Sequence, residues 1–439
     1  MSDVHDRRQA ALAAADTDLA TADTDLATDA SRPSLVLLPA ARAAALEEVV
    51  ARALDVGLRR IQMLAWRDLD DPEAGGSERH AHHVASLWAG AGLDVTMRTS
   101  VARGHPSHAE RDGYHVLRKG RRYSVFPRSA LGGLVGRRGR PDGLVEVWNG
   151  MPFFSPLWAR CPRVVFLHHV HAEMWRMVLR PWRARAGELV ERKVAPPLYR
   201  RTRVVTLSES SRREIVSMLG LRPSRVSVVK PGIDSRFAPG GARSPQPLVV
   251  AVGRLVPVKR FELLMDALAE VRHSVPELRA VIVGEGYERA RLEGHRRALG
   301  AEGWLDLPGY MDDDELLKLY RRAWVVASTS QREGWGMTIT EAGACATPAV
   351  VSRIAGHVDA VEDWVSGFVV DVAGDQQGDR GTATDFAGAL RTVVTDPILR
   401  AGFGRAARTR ALQLSWEATA AGTLDALVDE AVAGKRAGR

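Results

Sequence analysis

Short apolar runs alternate with longer amphipathic stretches along most of the chain, and the alternation begins near Arg59. "RRIQMLAW" (59–66) reads as a buried strand. In the stretch that follows, a glycine pair leads into Ser77 as expected N-cap, with Val84, Leu87 and Trp88 on one helical face. Further strands are expected at "LDVTMRT", "GLVEVWN", "RVVFLHH", "RVVTLSES" and "RVSVVKPGID". Helical stretches lie between most of them, with an Arg-rich loop region over 103–140. Strands that alternate with helices predict a parallel, doubly wound sheet.

"RFAPGGARSPQP" (236–247) is dense in Pro and Gly and reads as a linker. A second series follows: "PLVVAVGRL", "LRAVIVGEG", "WLDLPGY", "WVVASTS", "TPAVVS" and "GFVVD" are strand-like, with helices expected at 260–273, 286–298, 312–322 and 337–345. The expected fold is therefore α/β, with two Rossmann-like domains of parallel sheets, 59–240 and 246–412, facing a central cleft. A final helix over 415–435, capped by Ser415, is expected to pack back on the first domain. Ligands of such sheets bind at the carboxyl ends of the strands.

Residues 1–58 read differently. "ADTDLAT" occurs twice in tandem over 15–28, in a stretch rich in Ala, Asp and Thr that has little to bury. A low-complexity, disordered extension is expected there.

The chain of 439 residues has room for two or three domains, and its formal charge of +8 suits acidic partners: nucleotide diphosphates, anionic lipid or nucleic acid. Its two cysteines, Cys161 and Cys345, lie outside any metal-ligand spacing, which fits a reducing, cytoplasmic setting. Neither an apolar run of roughly 18–20 residues nor a signal-peptide pattern is present, so a soluble or surface-bound protein is expected.

Two stretches carry candidate chemistry. In "AVGRLVPVKRFELLMDAL" a strand ends at Gly253, and Arg254 and Lys259 bracket a short loop before a helix. Two fixed cations at a strand's carboxyl end suit a departing diphosphate. Neither a Walker G-x-x-x-x-G-K-[ST] nor a G-x-G-x-x-G occurs, so ATPase and dehydrogenase readings lack their fingerprints. In "WVVASTSQREGWGMTITEAGACATP" a helix is expected from about Gly336, aiming the amides of Gly336, Met337 and Thr338 at a phosphate. Glu333 stands just before that helix and Glu341 about a turn inside it. Carboxylates suit vicinal diols because each offers two acceptor oxygens.

The Glu333/Glu341 pair, the "GRLVPVK" loop and "DPEAGGSE" together resemble a family-4 retaining glycosyltransferase of the GT-B fold, over nearly the whole chain from about residue 59. The run "ITEAGACATPAVVSRIAGHVDAVEDWVSGFVV" is particularly similar to that family. The resemblance implies transfer of a hexose, mannose or glucose foremost, from a GDP- or UDP-sugar donor to an acceptor glycan or glycolipid, with no cofactor required. It implies that Arg254 and Lys259 hold the donor diphosphate, Glu333 the sugar hydroxyls and Glu341 the ribose. Gly253, Gly336, Met337 and Thr338 fall to the donor as well. Gly75 and Gly76 match the loop that closes over the donor, and Gly309, Tyr310 and Met311 the base-binding segment.

"VVFLHHVHAEMW" places His168 after an apolar strand, where members of the family often carry a histidine near the transferred sugar; His169, one position on, and His171 are the alternative matches. His80 and His83 can share a helical face, but no Asp or Cys completes a tetrahedral set, and no metal is expected. "MDDDEL" is expected to open a helix. Asn149, in "EVWNGMPFFSP", and His171 are expected acceptor-side contacts.

Basic residues crowd 101–140 and "EMWRMVLRPWRARAGELVERKVAPPLYRRTR", the latter interleaved with Trp175, Met177, Leu179 and Trp182. Cations beside exposed aromatics fit a helix on an anionic membrane surface, so a cytoplasmic enzyme, peripheral at the inner face of the membrane, is expected. A sugar-nucleotide epimerase or a glucan synthase on the same architecture is the alternative within enzymes. A basic nucleic-acid-binding protein is the alternative outside them, but no helix-turn-helix, zinc-finger or RNP motif occurs, and no nucleic-acid partner is expected.

Overall fold

The computed structural model describes residues 39–135, 140–371 and 379–437. The chain forms two compact units. The N-terminal unit runs to Gly232 and takes in Glu333–Trp335 and the chain from Leu414 onward; the C-terminal unit holds Ile233–Arg332 and Gly336–Gln413.

In the N-terminal unit the strands are β1 (Arg60–Leu64), β2 (Asp94–Thr99), β3 (His108–Arg111), β4 (Tyr114–Arg118), β5 (Gly143–Val147), β6 (Arg163–Phe166), β7 (Arg203–Thr206) and β8 (Val226–Val228). They form one sheet in the order β3-β4-β2-β1-β5-β6-β7-β8. Every pairing is parallel except β3 with β4. Buried parallel strands read as mainly apolar runs, and β5 is buried at every position, its one carboxylate, Glu146, included. Strand order reverses between β1 and β5, the switch point where such sheets bind ligands.

Three expectations are corrected here. The Arg-rich region of 103–140 is not a loop: it holds the β3/β4 hairpin and a helix, Val125–Val135. The turn at Asp112–Gly113, both at positive φ, closes the hairpin. Second, the extension expected over 1–58 gives way at Pro39 to a helix, Pro39–Asp55, which buries Leu46, Val50 and Ala53. Those residues recur at helical spacing, a stripe hidden in the sequence by surrounding alanines. The tandem repeat at 15–28 lies outside the described residues. Third, Ser77 is not the N-cap of the Gly76–Gly90 helix, because Gly75 is.

The closing helix, Trp416–Ala437, lies against the Pro39–Asp55 and Gly76–Gly90 helices. Ser415 caps it by accepting from Ala418 N at 3.1 Å. Trp88, fully buried, donates its indole N–H to Ala420 O at 3.0 Å, so its polar edge is satisfied within an apolar core.

The C-terminal unit has β9 (Leu248–Val252), β10 (Arg279–Val283), β11 (Leu305–Gly309), β12 (Val325–Ser328), β13 (Ala349–Ser352) and β14 (Gly367–Val370). Their order is β11-β10-β9-β12-β13-β14, all parallel, with the reversal between β9 and β12. The four expected helices are Phe261–Ser274, Arg289–Ala298, Asp313–Arg322 and Met337–Ala344.

Candidate functional site

At the carboxyl edge of the C-terminal sheet three strand ends converge on glycines. Gly253 N donates to Val283 O at 3.0 Å, and Gly284 N to Gly309 O at 2.8 Å. A β-carbon on Gly284, whose φ is +143°, would lie 1.9 Å from Gly253 O, so only glycine fits. Lys259 ends a one-turn 3-10 helix, Pro257–Lys259, and folds back over the end of β9. A β-carbon on Gly253 would meet its Cε at 3.0 Å and its Nζ at 3.3 Å. Arg254 is exposed beside it.

The loop after β12 is stapled to this one. Thr329 Oγ1 donates to Lys259 O at 2.9 Å and to Arg260 O at 3.0 Å, and Gln331 N donates to Val258 O at 2.8 Å. The Met337–Ala344 helix then starts from Gly336, at φ +117°. Its first internal bonds run from Ile339 N and Thr340 N to Gly336 O, at 3.0 and 3.3 Å. The amides of Met337 and Thr338 precede that ladder, the arrangement that gives a helix N-terminus its affinity for anions. Glu341 is buried within the helix and accepts from Tyr320 Oη at 3.1 Å.

Tyr310, at the end of β11, is exposed, whereas Met311 packs into the cluster that contains Tyr320. Asp312 caps the next helix: it accepts from Glu315 N at 2.8 Å while Asp312 N donates back to Glu315 at 3.3 Å. The acidic run therefore serves that helix. His357, which sequence reasoning passes over, lies fully buried beneath Gly336, its Nδ1 3.1 Å from Ser352 O and its Nε2 3.4 Å from Ser328 Oγ.

In the N-terminal unit Gly75, Gly76, Asn149, His168 and His171 follow β1, β5 and β6 at the carboxyl edge of the sheet. Gly75 N donates to Glu78 Oε2 at 2.9 Å, and Ser77 Oγ donates to the same oxygen at 2.8 Å. Asn149 Nδ2 donates to Ser77 Oγ at 3.0 Å, so the expected acceptor contact supports the glycine loop. Buried Glu78 organises that turn, and its place three residues after Gly75 is the signal for it in the sequence.

The segment between β1 and the glycines is anchored by Asp68. This buried carboxylate accepts from Arg118 and, at 2.7 Å, from Arg111; Arg118 also pairs with Asp70 at 2.6 Å. Burial works to raise the Asp68 carboxyl, but the two guanidiniums outweigh it and hold it below its usual range. Arg111 and Arg118, two of the basic residues that crowd 101–140, thus serve internal ion pairs.

His168 is buried, its Nε2 3.2 Å from His80 Nδ1. Burial pushes both imidazoles down, His80 to about 3. The loop after His168 is held by Glu191, fully buried in a π turn, Val190–Val194. Glu191 accepts from His171 N at 2.7 Å, Ala172 N at 3.0 Å and Trp175 Nε1 at 3.0 Å. Such turns frequently mark functional sites. Gly334, next to Glu333, accepts at its carbonyl from Ser208 Oγ and Ser211 Oγ, each at 3.2 Å. A β-carbon there would lie 2.6 Å from His168 O.

Among the described residues no group of three or more His, Cys, Asp or Glu could hold a metal ion, and no helix is long and apolar enough to cross a membrane. The basic helices after β6 are Met174–Val178 and Pro181–Leu189. Trp175 is not on their outer face, because its ring lies on Gly187 and its N–H is bound. Val178, Trp182 and Leu189 are exposed, beside Arg180, Arg183 and Arg185.

Comparison with known proteins follows the two units. Residues 233–410 match the family described as "Glycosyl transferases group 1", and residues 74–237 match "Glycosyltransferase Family 4". A "D-inositol 3-phosphate glycosyltransferase" of Kribbella flavida is 34% identical over 243 residues, 51% of this chain and 55% of that protein. The chain thus spans about half the length of the curated relatives it matches. Among solved structures, the sucrose-phosphate synthase of Thermosynechococcus elongatus superposes with TM-score 0.70 at 20% identity, over 83% of this chain and 97% of that one. The Anabaena protein Alr3699/HepE in complex with UDP-glucose gives 0.63 at 19%, over 85% and 99%.

Proposed function

The chain belongs to the family-4 glycosyltransferases, with two parallel-sheet α/β units of the GT-B kind, and from that premise we propose that it moves a hexose from a nucleoside-diphosphate sugar to an acceptor with retention of configuration. The observation that carries this reading is the carboxyl edge of the C-terminal sheet, where Arg254 and Lys259 follow β9, the loop after the adjacent β12 is bonded to Lys259 O, and that loop leads into the Met337–Ala344 helix with its buried Glu341.

Each part has a physical task. Arg254, Lys259 and the amides of Gly336, Met337 and Thr338 stabilise the diphosphate as charge builds on it, an effect typically worth about 3–4 kcal/mol per donor removed. Glu341 takes the ribose hydroxyls, and Gly253, Gly309, Tyr310 and Met311 take the phosphates and base. Glu333 binds sugar hydroxyls, and His168 serves the transferred sugar. No carboxylate is an evident nucleophile, which favours same-face attack with the leaving phosphate as base. Gly75 and Gly76 act on the donor through their loop. His171, whose neighbours are Trp175 and His169, remains an acceptor-side candidate.

For the acceptor, exposed Trp182, Val178 and Leu189 among arginines support a lipid-linked or otherwise anionic substrate at a membrane surface. The relatives' name makes D-inositol 3-phosphate a further acceptor to try. The test incubates UDP-glucose and GDP-mannose with the protein, alone, with D-inositol 3-phosphate and with anionic glycolipid vesicles, and follows nucleoside diphosphate release and the anomeric signal of the product. An α-linked product that requires an acceptor, and is lost in Lys259→Ala, supports the proposal. Isomerised donor without acceptor points to an epimerase instead, and no turnover of either donor in any arm sinks the reading.

A further inference from the structure

His80 is buried on the Gly76–Gly90 helix, its ring packed edge-on against Phe166 (5.0 Å) and His168 (4.9 Å) and tilted against Trp416 (5.9 Å). Its Nδ1 lies 3.2 Å from His168 Nε2, and its Nε2 is buried with no hydrogen-bond partner among the described residues. Nothing in the resemblance assigns His80 a role.

Two neutral imidazoles that meet nitrogen to nitrogen share one hydrogen, and it can sit in two ways. If His168 donates from Nε2, the hydrogen of His80 must move to its own Nε2. That choice buries an N–H with no acceptor, an arrangement native interiors avoid because its desolvation is not repaid. If His80 donates from Nδ1, its buried Nε2 keeps only a lone pair, on a ring packed against Phe166, His168 and Trp416. His168 then accepts at Nε2, so its single hydrogen sits on Nδ1. Burial keeps both rings neutral, which removes the doubly protonated alternative. His168 Nδ1 itself makes no hydrogen bond among the described residues.

We infer that His80 is a positioning residue that holds His168 as the Nδ1–H tautomer, so that His168 meets its ligand as a hydrogen-bond donor and not as a base. The role assigned to that hydrogen bond rests on the glycosyltransferase reading; the tautomer does not.

The deciding measurement is a solid-state 15N spectrum of the full chain labelled at histidine, with His80→Phe and His168→Phe used to assign signals. The inference expects His168 and His80 both protonated at Nδ1 and bare at Nε2 in the wild-type protein. A protonated His168 Nε2 overturns it, whatever the activity. The kinetic arm compares His80→Phe, which keeps a ring but loses the donor, with His80→Asn, whose amide N–H takes the place of Nδ1–H. His80→Phe is expected to lower kcat by about tenfold, the effect of a single hydrogen bond, with the donor KM little changed and with His80→Asn recovering most of the loss. Wild-type rates in His80→Phe beside a slow His168→Ala refute the positioning role and leave the proposed function intact. A fully active His168→Ala refutes the role given to His168, and the spectrum still decides the tautomer.

Discussion

The hydroxyl of Tyr320 donates to Glu341 Oε2 across 3.1 Å, and both side chains are buried within the C-terminal unit. Tyr320 comes from the Asp313–Arg322 helix and Glu341 from the Met337–Ala344 helix, so this hydrogen bond ties the carboxylate to a second helix. If Glu341 meets ribose hydroxyls as proposed, it gains from being held before the ligand arrives. Tyr320→Phe removes the donor while keeping the ring, and a buried acceptor that loses a partner costs about 1–3 kcal/mol. The expected outcome is a nucleoside diphosphate affinity lower by roughly fivefold or more, read by titration calorimetry with UDP and GDP. Unchanged affinity in a folded variant means that Glu341 needs no such support.

Gly336→Ala tests the start of the Met337–Ala344 helix, proposed to face the donor phosphates. At φ +117° an alanine is strained, and its β-carbon would lie 2.7 Å from Ile339 Cδ1 and 3.2 Å from His357 Cδ2. The backbone must move just before the amides of Met337 and Thr338, the groups proposed to hold the diphosphate. Strain of this kind costs about 1–3 kcal/mol, and thermal stabilisation by nucleoside diphosphate should largely disappear. Gly388→Ala is the control, because that helical glycine has nothing within 4 Å of the added carbon. It should raise stability by up to about 1 kcal/mol and leave the nucleotide response alone. Equal behaviour of the two variants contradicts this account.

Most strands and most of the C-terminal helices are legible in the sequence because parallel strands buried on both faces leave mainly apolar runs. The motif residues of the C-terminal unit are legible for a similar reason: glycines and charges at strand ends stand out against those runs. What the sequence hides are partners distant along the chain. Nothing local marks Tyr320 as the partner of Glu341, His80 as that of His168, or Glu191 as the clamp on the loop after β6. The Pro39–Asp55 helix is hidden differently, since its buried stripe sits among alanines that look like low-complexity sequence. The hairpin is hidden because its arginines suggest a solvated loop, whereas Arg118 is buried against Asp68.

That buried pair makes its own prediction. Asp68 is fully buried and receives both Arg118 and Arg111, so Asp68→Asn removes the buried counter-charge of two guanidiniums and leaves them the partly exposed Asp70. Breaking a buried pair from one side costs about 3–5 kcal/mol, several times the worth of an exposed bridge. Urea unfolding should show a loss of that order. Glu73→Gln supplies the contrast: Glu73 pairs with Arg67 and Arg122 but is half exposed, and its loss should stay below about 1 kcal/mol. Similar losses in both variants would mean that burial does not set the strength of this network.

Acid should weaken the fold through its histidines before its carboxylates matter. His80 and His82 are held down to about 3 by burial, against about 6.5 in the unfolded chain. Between those values the unfolded state binds protons that the folded state refuses, so stability rises with pH across the window and falls on acidification. Each such histidine contributes a slope approaching 1.4 kcal/mol per pH unit once the pH is well below 6.5. His168, lowered for the same reason, adds to it. Asp68 and Asp142, whose folded values are lowered, act in the same direction but only as the pH nears their unfolded range, around 4. From pH 7 to 5, then, the loss belongs to the imidazoles. Urea unfolding at pH 7, 6 and 5 should show stability falling, and falling less steeply in His80→Phe, which removes one of the protons taken up on unfolding. A slope unchanged in that variant would show that His80 is protonated as readily in the fold as out of it.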